Sequence, residues 1–182
     1  MKETDSAPRS KQWINLDNML GGPGGGTAHV ELQKRKDSHV VVATDYGFDI
    51  PNGAIIQGVR VEIRCKAASA NRIGFNDLHL TKDAGSDTSE NKGAPNGEIR
   101  WDTGLDIHHP AGGPTDDWNY GLTWEQVEDS DFGVVFKVDN FSSVTGLCKS
   151  EVDSIGVKVW HDQAGSPTGW IYADEITQSE AP

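Results

Sequence analysis

Alternation of apolar and polar residues is clearest between residues 40 and 67, in the stretch VVVATDYGFDIPNGAIIQGVRVEIRCKA. From Ile55 to Ala67, apolar residues alternate with charged ones, so one face of a strand is apolar and the other is charged. A strand of this kind is typical of an antiparallel sheet with one side in water. The break at Pro51-Asn52-Gly53 predicts a turn before this strand.

The rest of the chain shows further short strands and almost no helical period. The predicted strands are Ala28–Gln33, His39–Thr44, Phe75–Lys82, Phe132–Val138 and Ser154–Trp160. The charged turn at residues 34–37 predicts that the first two of these form a β-hairpin. The longest helix-like stretch, Trp124–Glu128, is about one turn long.

Roughly six to eight short strands without βαβ spacing predict an all-β fold, an antiparallel two-sheet β-sandwich of jelly-roll-like type. Residues 13–161 form this sandwich domain, residues 1–12 an N-terminal arm and residues 162–182 a C-terminal extension. The inner faces of the two sheets would share one thin core. The selected core residues are Val61, Ile63, Leu80, Val134, Phe136, Ile155 and Val157.

Composition agrees with this architecture and limits the partners. Of 182 residues, 35% are hydrophobic and 21 are glycine, which favours short strands and long loops. The net charge of −12 argues against nucleic acid and anionic membranes, because both ligands need a basic face. No apolar run reaches transmembrane length, and the segment MKETDSAPRSKQW predicts no secretory signal. We expect Cys65 and Cys148 to be buried thiols.

Candidate chemistry is sparse, and we predict no enzyme. No GxSxG, HExxH or CxxC motif is present, and adjacent His108 and His109 would point to opposite sides of an extended segment. Four aspartates crowd one loop: Asp102, Asp106, Asp116 and Asp117. A solvated acidic loop is the favoured interpretation and calcium the alternative, since calcium prefers oxygen ligands. We therefore predict no cofactor.

Two groups of aromatic residues are candidate contact sites. Trp101, Trp118 and Tyr120 lie in or beside the long loop 103–120, and they would serve either as lids over the sandwich or as a sugar-binding face. Trp170, Ile171 and Tyr172 form an apolar triplet in a polar tail. This triplet would act as an anchor that either covers its own sandwich or docks on a neighbouring protein.

Several blocks together resemble structural proteins of tailed-bacteriophage virions. HVVVATDYGFDIPNGAIIQGVRVEIRCKA is similar to a family pattern in which an aromatic-Gly-Phe turn and Ile-Pro precede a long Val/Ile alternation. FNDLHLTKDAG, DDWNYGLTWEQVEDSDFGVVFKV and SEVDSIGVKVWH resemble the later blocks in the same order, and WINLDN resembles the start. The chain departs from the pattern at Gly21–Gly26, at residues 108–110 and after His161.

The resemblance implies a structural component of the virion, a capsid decoration or auxiliary protein first and a tail-associated protein next. It implies contacts with major capsid or tail proteins, a homo-oligomer or lattice, and assembly in the host cytoplasm. It carries over no catalytic residues. The alternative function is a carbohydrate-binding β-sandwich module that uses Trp101, Trp118 and Tyr120, and surface glycans are a further expected partner under either function.

Overall fold

The computed structural model describes residues 10–93, 100–107 and 110–180. Helices in this part are short: a 3-10 helix, Leu16–Met19, and one α-helix, α1, Trp124–Glu128. The strands in chain order are β1 Ser10–Lys11, β2 Ala28–Leu32, β3 Asp37–Ser38, β4 Val40–Thr44, β5 Ile56–Ala67, β6 Ile73–Thr81, β7 Asp106–Ile107, β8 Ala111–Gly112, β9 Gly133–Asn140, β10 Cys148–His161, β11 Ile171–Tyr172 and β12 Glu175–Ser179. The fold is therefore all-β, as the alternating pattern predicts.

The first sheet is built around β9. Strand β6 pairs along one edge of β9, and β3 and β4 follow one another along the opposite edge. Outside these, β12 pairs with β4, and β1 pairs with β3. The pairing of β1 with β3 is parallel, whereas the other pairings in this sheet are antiparallel, which departs from the purely antiparallel prediction.

The second sheet is built around the antiparallel pair of β5 and β10, the two longest strands described. Short strands β7 and β8 pair with the outer edge of β5, within a segment predicted to be loop. Strands β2 and β11 pair with the outer edge of β10. A register shift between Val152 and Ser154 keeps the apolar residues of β10 on the inner face beyond the bulge.

Strands β2 and β4 lie in different sheets, and this makes the predicted hairpin wrong. Strand β2 pairs with β10 in the second sheet, whereas β4 pairs with β9 and β12 in the first. The intervening turn at residues 34–36 crosses between the sheets and is held by the end of β9. Arg35 N donates to the Asn140 carbonyl at 2.8 Å, and Asn140 N donates to the Lys36 carbonyl at 3.0 Å.

The core lies between the two sheets, where the predicted alternation places it. All seven selected core residues are at most 1% exposed. Phe136 lies at the centre of an aromatic group, with ring centroids 6.0 Å from Trp13 and 5.9 Å from Phe75. Cys65 and Cys148 are buried as thiols in β5 and β10, as predicted.

Both ends of the described chain are part of the sandwich. The segment after residue 161 adds β11 to the second sheet and β12 to the first. At the other end, β1 pairs with β3. The C-terminal extension therefore supplies structural strands to both sheets.

The one-turn helix α1 confirms the prediction for Trp124–Glu128. It begins with a capping box, in which the Thr123 side chain accepts from Gln126 N and the Gln126 side chain accepts from Thr123 N. Within the described ranges, no helix combines the length and apolar character needed to cross a membrane.

Candidate functional site

Two of the three loop aromatics considered for sugar binding are part of the core. Trp101 and Trp118 are both fully buried. The Trp101 ring packs edge-on against Phe75 with centroids 5.0 Å apart, and Trp118 Nε1 donates to the Val59 carbonyl at 2.9 Å. Neither ring exposes a face to solvent, so neither offers a stacking surface for a sugar in this structure.

Tyr120, the third loop aromatic, is half-buried and fastens the loop to the segment after β6. Its hydroxyl donates to the Asp87 carbonyl at 2.8 Å, and Lys82 Nζ lies 4.6 Å from the ring centroid. Burial, followed by the negative charge of Asp87, raises the pKa of Tyr120 to about 12. Because Trp101 packs against β6 and Trp118 against β5, the three rings do not form one platform.

The aspartates of the acidic loop mostly bind their own backbone. Each accepts a hydrogen bond from a nearby N–H: Asp102 from Thr103, Asp106 from Ile107, Asp116 from Trp118 and Asp117 from Asn119. Asp116 also pairs with Lys92 Nζ at 3.0 Å. Among the described residues, no group of three or more His, Cys, Asp or Glu is placed to hold a metal ion. His108 and His109 lie outside the described residues.

The C-terminal triplet covers its own sandwich, which was one of the two predicted alternatives. Trp170 and Tyr172 lie on the outer face of the second sheet, with their rings over Gly156 of β10. A Cβ at Gly156 would lie 3.1 Å from Tyr172 Cε1 and 3.3 Å from Trp170 Cε3. Lys158 Nζ lies 4.6 Å from the Trp170 ring centroid. Both rings stay partly exposed there and remain candidates for partner contact.

Ile171 lies on the opposite side of β11, where it borders a surface cavity of about 410 Å³. This cavity, called the β11 cavity below, lies between the turn at residues 47–51 and the segment 161–171. Its volume is within the range of about 300–1,000 Å³ that is usual for small-molecule sites. Polar groups on its wall come from Asp49, His161 and Thr168.

Nothing in the local sequence predicts the β11 cavity. Its two walls are more than a hundred residues apart along the chain, and they meet because β10 pairs with β5, which places His161 opposite Ile56. The sequence does contain two turn-forming glycines at the cavity, Gly47 and Gly165, and both have positive φ. They indicate that the chain reverses at each position, but not that the two turns lie close together. The positions of these turns in space depend on strand pairing.

A charged cluster on the outer face of the first sheet has the most perturbed carboxyl group. Asp139 of β9 faces Asp37 of β3, with Lys137 and Asp77 beside them. Burial, followed by the charge of Asp37, raises the pKa of Asp139 to about 7, while Lys137 opposes this change. The Nζ atom of Lys137 lies 3.0 Å from Oδ2 of Asp77. Burial lowers the pKa of Lys137, but the bond to Asp77 and the nearby carboxylates outweigh burial and raise it.

Comparisons with family models, with curated proteins and with solved structures found no match to this chain.

Proposed function

We propose that this protein is a structural component of a tailed-phage virion, a capsid decoration or auxiliary protein first and a tail-associated protein next. Its partners are other virion proteins, and it assembles as a homo-oligomer or lattice in the host cytoplasm. In this role the sandwich supplies shape and attachment, and it needs no catalytic group.

The proposal rests mainly on one observation, the positions in the fold of the sequence blocks that resemble virion structural proteins. The first block forms β4, the turn at residues 45–53 and β5, and the second block begins inside β6. The third block contains Trp118, α1 and β9, and the last forms most of β10. The resembling sequence therefore builds the central strands of both sheets, so the resemblance concerns the whole scaffold.

The strand arrangement supports the finer, jelly-roll-like description of the sandwich. The longer strands β4, β5, β6, β9 and β10 occur in sequence in the first, second, first, first and second sheet, with β7 and β8 of the second sheet between β6 and β9. Chain crossings between facing sheets occur in jelly rolls and in other Greek-key sandwiches. The extension then returns to both sheets.

An assembly contact is proposed at one end of the molecule. Ile14 and Leu147 are 53% and 56% exposed and border the same groove beside β2, and Val144, 57% exposed, lies in the same loop as Leu147. Large apolar side chains exposed together often mark protein–protein contacts. Lys11 and Glu31 border the groove and give it a polar rim, as in many interfaces.

Immunogold electron microscopy tests the proposal directly. Antibody raised against the purified chain would be applied to phage particles from a lysate that contains this protein. We expect gold on the capsid shell; gold on the tail would instead support the tail-associated role. Intact, unlabelled virions beside antigen that remains in the particle-free fraction would overturn the virion proposal.

A further inference from the structure

The β11 cavity has a shape set by hydrogen bonds on both sides. On one side, Thr168 N donates to the Val159 carbonyl at 2.9 Å, and Val159 N donates to Thr168 Oγ1 at 3.0 Å. His161 N donates to Ser166 Oγ at 2.9 Å. On the other side, Ile50 N donates to Glu128 Oε1 at 2.9 Å. A wall fixed in this way loses little conformational entropy when a ligand binds.

Small residues keep the cavity open. Gly47, Gly165 and Gly169 all border it, and a Cβ built on any of them meets no atom within 4 Å. Gly47 and Gly165 have positive φ, whereas Gly169 does not. A larger side chain at Gly169 would therefore meet no clash at its Cβ and would need no positive φ, so Gly169 is the position chosen for a substitution meant to narrow the cavity.

The wall combines apolar and polar groups. Pro51 and Ile171 are partly exposed and supply apolar surface, Phe48 adds little because it is only 6% exposed, and Asp49 supplies an exposed carboxylate. His161 Nδ1 accepts a hydrogen bond from Gln163 N at 3.3 Å. Because Nδ1 accepts, the ring proton is on Nε2, and this second nitrogen is a donor on a side chain that is 3% exposed.

The charges of the wall exclude an anionic ligand. Among the described residues that line the cavity, none is Lys or Arg, and the one ionised side chain is the carboxylate of Asp49. An anion would face Asp49 without a cation to offset it. A compact cation would leave the histidine donor and the apolar surface unused. A neutral ligand with hydroxyl groups and C–H faces uses the acceptor, the donor and the apolar surface together.

We propose that the β11 cavity binds a neutral saccharide unit, with Asp49 accepting from sugar hydroxyls, His161 donating to one, and Pro51 and Ile171 against its C–H face. The site differs from the loop aromatics, two of which are buried. This inference does not depend on the virion proposal, because it follows from the cavity wall alone. A saccharide on a cell surface and a free sugar would present the same chemistry.

A glycan array followed by titration tests this inference. The purified full-length chain would be applied to an array of neutral and anionic glycans, and the best neutral ligand would then be titrated as a free methyl glycoside by calorimetry. Gly169→Leu narrows the cavity and Asp49→Ala removes the exposed acceptor. Gly25→Leu and Asp102→Ala are the matched controls, because both positions are exposed and outside the cavity wall; Asp102 lies beside Ala67, at the end of β5 opposite to Ile56, which pairs with His161.

We expect a neutral glycan to bind, Gly169→Leu to abolish binding and Asp49→Ala to weaken it about tenfold, a loss typical of one hydrogen bond to a charged group. Both controls should bind like the wild type. If the chain binds a glycan on the array but not the free methyl glycoside, the ligand is a longer glycan of the kind found on cell surfaces. An inert array, preference for anionic glycans, or binding unchanged by Asp49→Ala and Gly169→Leu would each overturn the inference. Asp49→Ala is a surface change, so it decides the matter even if Gly169→Leu misfolds.

Discussion

The side chain of Gln178 forms both hydrogen bonds of a strand partner with the backbone of Trp13, 165 residues away. Trp13 N donates to Gln178 Oε1 at 2.8 Å, and Gln178 Nε2 donates to the Trp13 carbonyl at 3.1 Å. Trp13 is 2% exposed and packs edge-on against Phe136. Through this amide, the last strand fixes the entry of the chain into the core.

Replacing Gln178 with Glu tests this link, because a carboxylate keeps the acceptor for Trp13 N but loses the donor for the Trp13 carbonyl. We expect the free energy of unfolding to fall by about 1–3 kcal/mol, the cost of leaving a partly buried polar group unpaired. Urea unfolding of Gln178→Glu and of Ser179→Ala, an exposed neighbour on β12, measures the effect. Equal stabilities for both variants and the wild type would show that the link is dispensable.

Strand positions and inward faces were predictable because they depend on local sequence. The alternation in β5, β9 and β10 follows from the period of two in any strand, and it assigned every selected core residue to the interior. The α1 turn was predictable for the same reason, since its capping box lies within four residues. Burial of Cys65 and Cys148 follows from their places in these patterns.

Pairing partners were not predictable, because alternation defines the faces of a strand and not its neighbours. The turn at residues 34–37 has the composition of a hairpin, yet its ends lie in different sheets. The polar tail after residue 161 resembles an extension, yet it supplies β11 and β12. Deleting the chain from residue 162 onward would therefore remove two strands and damage the fold itself. Such a truncation could not test whether the tail is needed for assembly but not for ligand binding.

The hydroxyl of Tyr46 is buried and has no hydrogen-bond partner among the described residues, and burial raises the pKa of Tyr46. Tyr46→Phe removes this unpaired group and keeps the ring contacts with Phe48 and Phe132. We expect a gain of about 1 kcal/mol in unfolding free energy. The matched variant Tyr120→Phe removes a hydroxyl that donates to Asp87 and should lose about 1 kcal/mol. Chemical denaturation of both variants measures the change in unfolding free energy, and a loss of stability in Tyr46→Phe would contradict the prediction.

Asp139 makes stability depend on pH in the direction opposite to that of a salt-bridged aspartate. The folded pKa of Asp139 is about 7, above its ordinary value of 3.8, so between these values the folded chain binds the extra proton. The contribution of Asp139 to the free energy of unfolding therefore falls as pH rises from about 4 to about 7, and the loss is complete above about pH 7. Asp139→Asn should raise the unfolding free energy by about 1 kcal/mol at about pH 8 and leave it unchanged at about pH 4, after allowance for solvent screening.

Urea titrations of Asp139→Asn at the two pH values provide the measurement. Asp131→Asn is the control, because Asp131 is exposed and should show no difference between the two conditions. A stability change that is the same at both pH values would mean that the substitution alters packing. In that case, the charge on the partly buried Asp139 carboxylate would not be the cause of the effect.

The groove beside β2, where Ile14 and Leu147 are exposed, predicts how the protein associates. Ile14 and Leu147 border this groove together, and an aspartate at both positions would place two charges where an assembly contact needs a dry surface. We expect sedimentation velocity to show oligomers of the wild type at high concentration and at least tenfold weaker association of Ile14→Asp/Leu147→Asp. Ile55→Asp/Ile107→Asp is the matched control, because it adds the same two charges: Ile55 and Ile107 are 65% and 36% exposed, and neither borders the groove. Equal weakening by the control would assign the effect to net charge, since every added aspartate increases repulsion between chains that already carry −12. A wild type that stays monomeric at every concentration would leave the groove without a role in self-association and would count against the proposed lattice.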